Sequence, residues 1–290
     1  MTIKSGFVNI IKPTGVSSFK VVSEIKNALK IKKVGHLGTL DPAASGVLPI
    51  AFGKATKFFE YFLNKNKKYV AVVQFGVLTD TLDSFGAKKE EQSVKIDRNK
   101  IENAIKKFIG KIEQVPPSFS AIKVDGQRAY DLARAGIDVK LKPREIEIYS
   151  IKVLDDLATN RFRFEVYCSA GTYIRTLFND IAKELGTVAT TTVIIRTESG
   201  PFKIDDAITI DEFKLSHKTI SVDEILSDLK QYEIKDKQIA EKVINGVKLN
   251  NSEIDGCNAK SSFILKYNGQ IIGIYHIEKG RVLCDIFIWE

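Results

Sequence analysis

Three stretches of the chain repeat apolar residues with the period of an α-helix. Ser17 and Ser18 can cap a first helix, whose apolar face is predicted to be Phe19, Val22, Ile25 and Leu29. Asp97 can cap a second helix that runs to Gly110. The stretch TYIRTLFNDIAKELG, residues 172–186, shows the same period and predicts a third helix that ends at a glycine.

Other stretches have the composition or the period of two that is typical of strands. YVAVVQF (69–75) predicts a buried strand, and REIEIYSI (144–151) and RFRFEVYC (161–168) predict strands with one covered face. After about residue 205, the helical stretch KDKQIAEKVING precedes three strand candidates, SFILKY, QIIGIYHI and RVLCDIFIW. The order predicts an α+β fold with a mixed, mostly antiparallel sheet in residues 1–210, and a small β-rich domain in residues 211–290.

Length and composition indicate a globular protein with a sizeable core. The chain has 290 residues, of which 44% are hydrophobic. Its apolar runs fall short of the ~20 residues that a membrane-spanning helix needs, and its N-terminus does not have the pattern of a signal peptide. Three widely spaced cysteines do not form a disulfide framework. We therefore expect a cytoplasmic protein without a membrane partner.

The charge is concentrated at the start of the chain. The net charge is +8, and residues 1–70 contain 12 lysines against three acidic residues. Such a segment attracts phosphate backbones, although a solvated lysine-rich surface explains it equally well. Only nine of the 44 basic residues are arginine, and seven of these nine lie between residues 128 and 196. This clustering fits planar contacts to carboxylate or phosphate groups, or chance.

The stretch VGHLGTLDPAASGVLPIAFGKATK, residues 34–57, contains the most notable candidates for chemistry. Asp41, followed by Pro42 and later by Gly46, has the spacing of a single capped helical turn, which competes with a catalytic role for the aspartate. His36 is equally well explained as a loop or packing residue. Asp80 and Asp83, in GVLTDTLDSFG, are best interpreted as parts of a polar turn.

Two common classes of site are not indicated by the residues. The three histidines are far apart in sequence, without the spacing of a metal site, and no serine lies in the G-x-S-x-G pattern of hydrolases. We therefore expect neither a metal nor another cofactor.

Six long motifs, in one order, resemble those of the TruB-type tRNA pseudouridine-55 synthases. The motifs span most of residues 7–202: IKPTGVSS (11–18), VGHLGTLDPAASGVLPIAFGKATK (34–57), KKYVAVVQFGVLTDTLDSFG (67–86), PPSFSAIKVDGQRAYDLARAG (116–136), CSAGTYIRTLFNDIAKELG (168–186) and RTESGPF (196–202). The resemblance implies a pseudouridine-synthase catalytic domain that isomerises the T-loop uridine at position 55 of tRNA. The base would be flipped out, cut from its ribose and rejoined through C5.

The resemblance also implies roles for particular residues. Asp41 matches the family's nucleophile, Arg175 the arginine that pairs with it, and Tyr69 the tyrosine that stacks on the base. A buried carboxylate stays ionised only beside a cation, which gives the arginine its physical purpose. The remaining residues implied to contact the substrate are His36, Tyr173, Ile194, Lys123, Arg128, Arg134 and Arg144.

Larger parts of the chain have counterparts in the family as well. Residues 116–146 resemble a mobile thumb that closes over the T-arm of tRNA, and residues 211–290 would form a PUA-like RNA-binding domain. The resemblance implies the T-arm of tRNA as the partner and no obligatory protein partner, and a monomer is the default expectation. One motif departs from the family pattern: Leu-Arg-Arg is replaced by Ile194-Ile195-Arg196, so that one arginine is missing.

Two alternatives compete with a stand-alone enzyme. The first is a tRNA-binding or tRNA-remodelling protein in which catalysis is secondary. The second is the catalytic subunit of a guide-RNA particle, which shares the aspartate motif. Asp41, Tyr69 and Arg175 are all present, which argues against the first alternative. The length of the chain and the thumb-like segment do not favour the second.

Overall fold

The protein is described by a computed structural model, which covers residues 5–120, 122–124, 126–137 and 141–289. Within these residues the helices are α1 (Ser18–Leu29), α2 (Phe59–Leu63), α3 (Arg98–Ile105), α4 (Ala129–Arg134), α5 (Ile174–Glu184), α6 (Ile210–Ser216), α7 (Val222–Ile225) and α8 (Lys237–Ile244). None of these helices is long and apolar enough to cross a membrane.

The strands of the main body are β1 (Gly6–Lys12), β2 (Val34–His36), β3 (Ser45–Phe52), β4 (Lys67–Phe75), β5 (Val77–Thr79), β6 (Lys88–Glu91), β7 (Gly110–Gln114), β8 (Lys123–Val124), β9 (Gln127–Arg128), β10 (Arg144–Ala158), β11 (Arg161–Cys168), β12 (Ala189–Ser199) and β13 (Phe202–Lys203). Nearer the C-terminus follow β14 (Gln231–Ile234), β15 (Leu249–Asn250), β16 (Phe263–Tyr267), β17 (Gln270–Glu278) and β18 (Arg281–Phe287). The predicted strands are thus confirmed, and β10 is longer than predicted.

The predicted helices form, with two corrections. Ser17 caps α1 by accepting a hydrogen bond from the backbone N–H of Lys20. However, Phe19 is 79% exposed, whereas Val21 is fully buried. Phe19 and Val21 are two residues apart in the helix and therefore point in directions about 200° apart. If Val21 faces the core, Phe19 cannot. The second helix, α3, ends before the predicted glycine, and a short 3-10 turn follows it.

The main sheet is mixed and mostly antiparallel, as predicted. Its strand order is β1-β3-β12-β4-β11-β10-β7, with β2 paired to β3 and β13 paired to β12. Strands β3 and β12 run parallel, with Ser45 opposite Ile195 and Gly46 opposite Arg196. A Cβ atom on Gly46 would lie 2.3 Å from the Arg196 carbonyl oxygen, and its φ is +100°. Only glycine permits this close approach of the two backbones.

Helices α1, α3 and α5 cover one face of this sheet. Alternate residues of β4, among them Tyr69, Ala71 and Val73, point into the same hydrophobic core as Ile25 of α1 and Leu177 of α5. The sequence of β4 predicts a buried strand, and six of its nine residues are buried. The core therefore fixes the position of α5 relative to β4, and both elements carry candidate catalytic residues.

A second sheet, with the order β14-β16-β17-β18-β15, lies in the C-terminal part of the chain. Ile264 and Ile274 of this sheet pack in one hydrophobic cluster with Phe7, Phe58 and Phe62 of the main body. The Nζ atom of Lys57 also donates a hydrogen bond to the backbone of β18. The second sheet is therefore packed against the main body through a shared core.

Candidate active site

Asp41 lies in a tight turn between β2 and β3. The N–H of Ala44 donates to the carbonyl of Asp41 at 3.0 Å, so the turn spans four residues and is not the capped helical turn that its spacing allows. Both backbone groups of Leu40 bond to the hydroxyl of Ser18, each at 2.9 Å. The N–H of Gly15 donates to the carbonyl of Pro42 at 2.8 Å. The motifs around residues 15 and 41 thus hold each other in place.

Arg175 meets Asp41 from the first turn of α5. Its Nη2 donates to Asp41 Oδ2 at 2.6 Å and to the Phe119 carbonyl at 3.0 Å. Its Nη1 donates to the Thr81 carbonyl at 2.7 Å and lies 3.6 Å from Asp83 Oδ2. The arginine side chain is only 3% exposed, whereas that of Asp41 is 36% exposed. A rigid guanidinium thus anchors a carboxylate that remains accessible to a substrate.

Asp83 was not singled out as a functional residue by its sequence. Its Oδ1 accepts hydrogen bonds from the Thr81 hydroxyl and the Phe85 N–H, so its assignment to a polar turn is confirmed. Its Oδ2 faces Arg175, and the side chain is only 7% exposed. The sequence does not show that Asp83 is buried. A buried carboxylate requires a nearby cation, and few arginines are available in this chain, so burial would have pointed to a pairing with Arg175. Arg175 therefore lies between two carboxylates.

Tyr69 lies opposite Arg196 in the antiparallel pair of β4 and β12. Burial raises the pKa of Tyr69 to about 12, so its hydroxyl remains neutral. Arg196 is buried and donates from Nε to the Val47 carbonyl and from Nη2 to the Gly38 carbonyl, at 2.8 and 3.0 Å. Arg196 thus ties β12 to the loop that precedes Asp41.

A cavity of about 230 Å³ opens beside Asp41. It brings together all three predicted catalytic residues and two of the predicted substrate contacts: its walls include Asp41, Lys67, Tyr69, Tyr173, Arg175, Ile194 and Arg196. The aromatic and aliphatic side chains contribute apolar surface to the walls, and Asp41, Lys67, Arg175 and Arg196 contribute charged groups. Such a cavity suits a flat heterocycle with polar edges.

Two other predicted contacts, His36 and Arg144, are not among the residues that line this cavity. His36 ends β2, where burial lowers its pKa, and its Nδ1 is buried without a hydrogen-bond partner among the described residues. Arg144 is exposed at the start of β10, and its charge opposes the rise in the pKa of Tyr173 that burial causes. The side chains of Lys123, Arg128 and Arg134 lie outside what the structure describes.

Two buried lysines add positive charge around the site. Lys12 Nζ donates to the Pro13 and Val16 carbonyls at 2.9 and 2.7 Å, and burial lowers its pKa to about 8. Lys67 Nζ donates to the carbonyls of Leu63 and Lys65, and burial lowers its pKa to about 8 as well. The cavity wall therefore carries more positive than negative charge, an arrangement that stabilises negative charge as it develops on a bound group.

Ile195, which stands where the family motif has its first arginine, does not line the cavity. Ile194 and Arg196 are buried on the cavity side, whereas Ile195 is only half-buried. Successive residues of a strand point to opposite faces, so the Ile195 side chain lies on the other face of the sheet. The departure from the family pattern leaves the buried arginine in place.

The fold matches solved structures over nearly the whole chain. A chain in the structure of an H/ACA RNP bound to a substrate RNA containing 2′-deoxyuridine has a TM-score of 0.73 and 26% identity, over 100% of this chain and 87% of that chain. A chain in the structure of a Cbf5-Nop10-Gar1 complex has a TM-score of 0.70 and 29% identity, over 95% and 79% of the two chains.

Comparison of the sequence identifies a family and its relatives more narrowly than the fold does. A family model described as TruB family pseudouridylate synthase (N terminal domain) matches residues 26–174. The tRNA pseudouridine synthase B of Clostridium perfringens is 41% identical over 249 residues, which is 84% of this chain and 84% of that protein. The protein of the same name from Clostridioides difficile is 44% identical over 225 residues, 77% and 74% of the two chains.

The fold, the aspartate–arginine pair and these relatives define the chain as a pseudouridylate synthase, an isomerase that acts on uridine in RNA. Within this class, the chain belongs to the TruB family.

Proposed function

We propose that this chain isomerises uridine 55 in the T-loop of tRNA to pseudouridine, with Asp41 as the nucleophile. The curated relatives named above, at 41% and 44% identity, carry the name tRNA pseudouridine synthase B. The observation that carries the proposal is the 2.6 Å pair between Asp41 and Arg175, at the mouth of a cavity that also contains Tyr69.

The reaction needs no atoms or electrons from outside the substrate. The bond between uracil N1 and the ribose C1′ breaks, and a bond between C5 and C1′ forms. The proton lost from C5 is balanced by a proton gained at N1. The protein must therefore supply a nucleophile, a site for the freed base and a group that moves a proton, all of which side chains can provide.

Asp41 supplies the nucleophile in this proposal. The Arg175 guanidinium binds Oδ2 of Asp41, and the aspartate side chain remains 36% exposed in the cavity wall. As the glycosidic bond breaks, negative charge grows on the uracil ring. Lys67 and Arg196, in the cavity wall, lower the energy of that charge.

Tyr69 supplies a surface for the base. A uridine in a folded T-loop is stacked, and its extrusion costs a few kcal/mol. Stacking on the tyrosine ring recovers part of that cost, with Tyr173 and Ile194 closing the sides of the cavity. Because the phenol stays neutral, its hydroxyl can also relay the proton that leaves C5.

The RNA itself would be held by charge outside the cavity. The exposed lysines of residues 1–70, among them Lys26, Lys30 and Lys33, are suited to the phosphates of the T-arm, as is the exposed Arg144. In this proposal, the thumb-like residues 116–146 close over the T-arm, and the C-terminal sheet contacts a more distant part of the tRNA. Neither step requires a protein partner.

The proposal is tested by release of tritium from C5 of labelled uridine in an unmodified tRNA transcript. Three combinations are compared: wild type with the transcript, Asp41→Asn with the transcript, and wild type with a transcript that has cytidine at position 55. We expect release only in the first, while Asp41→Asn still binds tRNA in a filter assay.

Other outcomes point elsewhere. Substantial release by Asp41→Asn would remove the aspartate from the chemistry. Release that persists with cytidine at position 55 would move the reaction to another uridine. If purified wild type binds the transcript but releases tritium only when a guide RNA is added, the chain would be the catalytic subunit of a guide-RNA particle.

A further inference from the structure

The side-chain amide of Gln114 bonds to both backbone groups of one distant residue. Its Nε2 donates to the Tyr173 carbonyl at 3.1 Å, and its Oε1 accepts from the Tyr173 N–H at 2.8 Å. Gln114 is the last residue of β7 and is only 2% exposed. The amide thus pairs with Tyr173 much as a neighbouring strand would, and both polar atoms of a buried side chain are satisfied by this single residue.

Tyr173 is the position at which the catalytic helix begins. It is the N-cap residue of α5, yet its own side chain makes no capping hydrogen bond. Its ring lines the cavity, and Arg175 follows two residues later. The first turn of a helix has unpaired backbone groups and is the part most prone to fray. The amide of Gln114 therefore fixes the start of α5, and with it the direction of both side chains.

A second contact ties the same two segments together. After Gln114 the chain leaves β7 and reaches Phe119, whose carbonyl accepts a hydrogen bond from Arg175 Nη2 at 3.0 Å. At its other side, Gln114 is held in the main sheet by pairing with Arg144 of β10. Residues 114–119 include the start of the thumb-like segment. Gln114 at one end bonds to Tyr173, and Phe119 at the other end bonds to Arg175.

We propose that Gln114 is a positioning residue for the isomerisation: its amide holds Tyr173 and Arg175 in the geometry that Asp41 requires, and keeps the root of the thumb-like segment in register with them. The inference rests on the proposed function. It assigns to Gln114 no contact with the uridine, because the residue acts through the backbone of Tyr173.

Two substitutions separate this role from simple support of the fold. Gln114→Met has a similar length but removes both hydrogen bonds. Gln114→Glu keeps the oxygen that accepts from Tyr173 and loses the donor. Gln74→Met is the matched control, because the amide of Gln74 also donates to backbone carbonyls, but at the end of β4 that lies away from Tyr69. For each protein we would measure the single-turnover rate of tritium release, the Kd for tRNA and the melting temperature.

We expect Gln114→Met to lower the single-turnover rate about thirtyfold, as two lost hydrogen bonds of about 1 kcal/mol each would do. Its Kd for tRNA should change less than about threefold, since the residue does not contact RNA in this inference. Gln114→Glu should lose at least as much rate as Gln114→Met, because its buried carboxylate would face the Tyr173 carbonyl oxygen where the donor was. Gln74→Met should keep the wild-type rate.

Four results would overturn the inference. A normal rate combined with a lowered melting temperature would assign Gln114 to fold support alone. A loss of affinity as large as the loss of rate would make it part of the RNA-binding surface. If wild type releases no tritium from any tRNA, both the proposed function and this inference are refuted. If wild type is active and Gln114→Met has the same rate, only the inference is refuted.

Discussion

Replacement of Arg175 by lysine keeps the charge and removes the planar fork. In the structure, two different nitrogens of Arg175 reach Asp41, Phe119 and Thr81. One ammonium nitrogen cannot occupy both positions: in place of Nη2 it loses the Thr81 carbonyl, and in place of Nη1 it loses Asp41 and Phe119. A hydrogen bond to a charged group contributes about 1.5–3 kcal/mol. If the loss of at least one such bond falls on the transition state, about 1.5–3 kcal/mol corresponds to a rate about tenfold to a hundredfold lower.

The assay is single-turnover tritium release from a tRNA transcript at saturating enzyme, with Kd measured separately by filter binding. Arg98→Lys is the matched control, because Arg98 is 41% exposed and pairs with Glu102 at the surface. Surface pairs of this kind contribute about 0–1 kcal/mol, so the control should keep full activity. A rate for Arg175→Lys within about threefold of wild type would refute the argument that the fork geometry orients Asp41.

Two further predictions concern stability and are checked by urea denaturation. Gly46→Ala should destabilise the protein by about 3 kcal/mol or more, because Gly46 has a positive φ and its Cβ would clash with the Arg196 backbone. Gly246→Ala is the control: Gly246 also has a positive φ but lies in open space, so the loss should be about 1 kcal/mol. Burial lowers the pKa of Lys12 to about 8 from 10.5, so between these values the unfolded chain binds the proton and the folded chain releases it. Stability of wild type relative to Lys12→Met should therefore rise with pH, by about 2 kcal/mol between about pH 7 and pH 9.5.

Equal losses from the two glycine substitutions would show that close packing of β3 against β12 contributes nothing. A difference between wild type and Lys12→Met that does not vary with pH would mean that Lys12 keeps its ordinary pKa in the folded protein.

Local signals in the sequence predicted the elements well. The cap at Ser17 and the cap at Asp97 each satisfy an N–H within three residues, so the start of a helix is encoded beside it. The alternation in β10 and β11 depends on one covered face, which a short stretch of sequence already reveals. The exposed Phe19 is the exception, since which side of a helix meets the core depends on distant strands.

The site was predicted only as far as the family motifs reach. Those motifs pointed to Asp41, Tyr69 and Arg175, and the structure places all three at one cavity. The contact of Asp83 with Arg175 and the three carbonyls bound by Arg196 could not be read from spacing. They depend on loops brought together by strand pairing across more than 90 residues, for which a sequence carries no local signal.

The strand order of the main sheet has a consequence for synthesis of the chain. Strand β12, residues 189–199, lies between β3 and β4, which both precede residue 76. While the ribosome makes the intervening hundred or so residues, those two early strands keep unpaired edges, and pairing with each other would exclude β12. Exposed edges of this kind invite aggregation, and non-local pairing is slow. Fragments that end before β12 should thus depend on chaperones, and activity should arise only after residue 199 has left the ribosome.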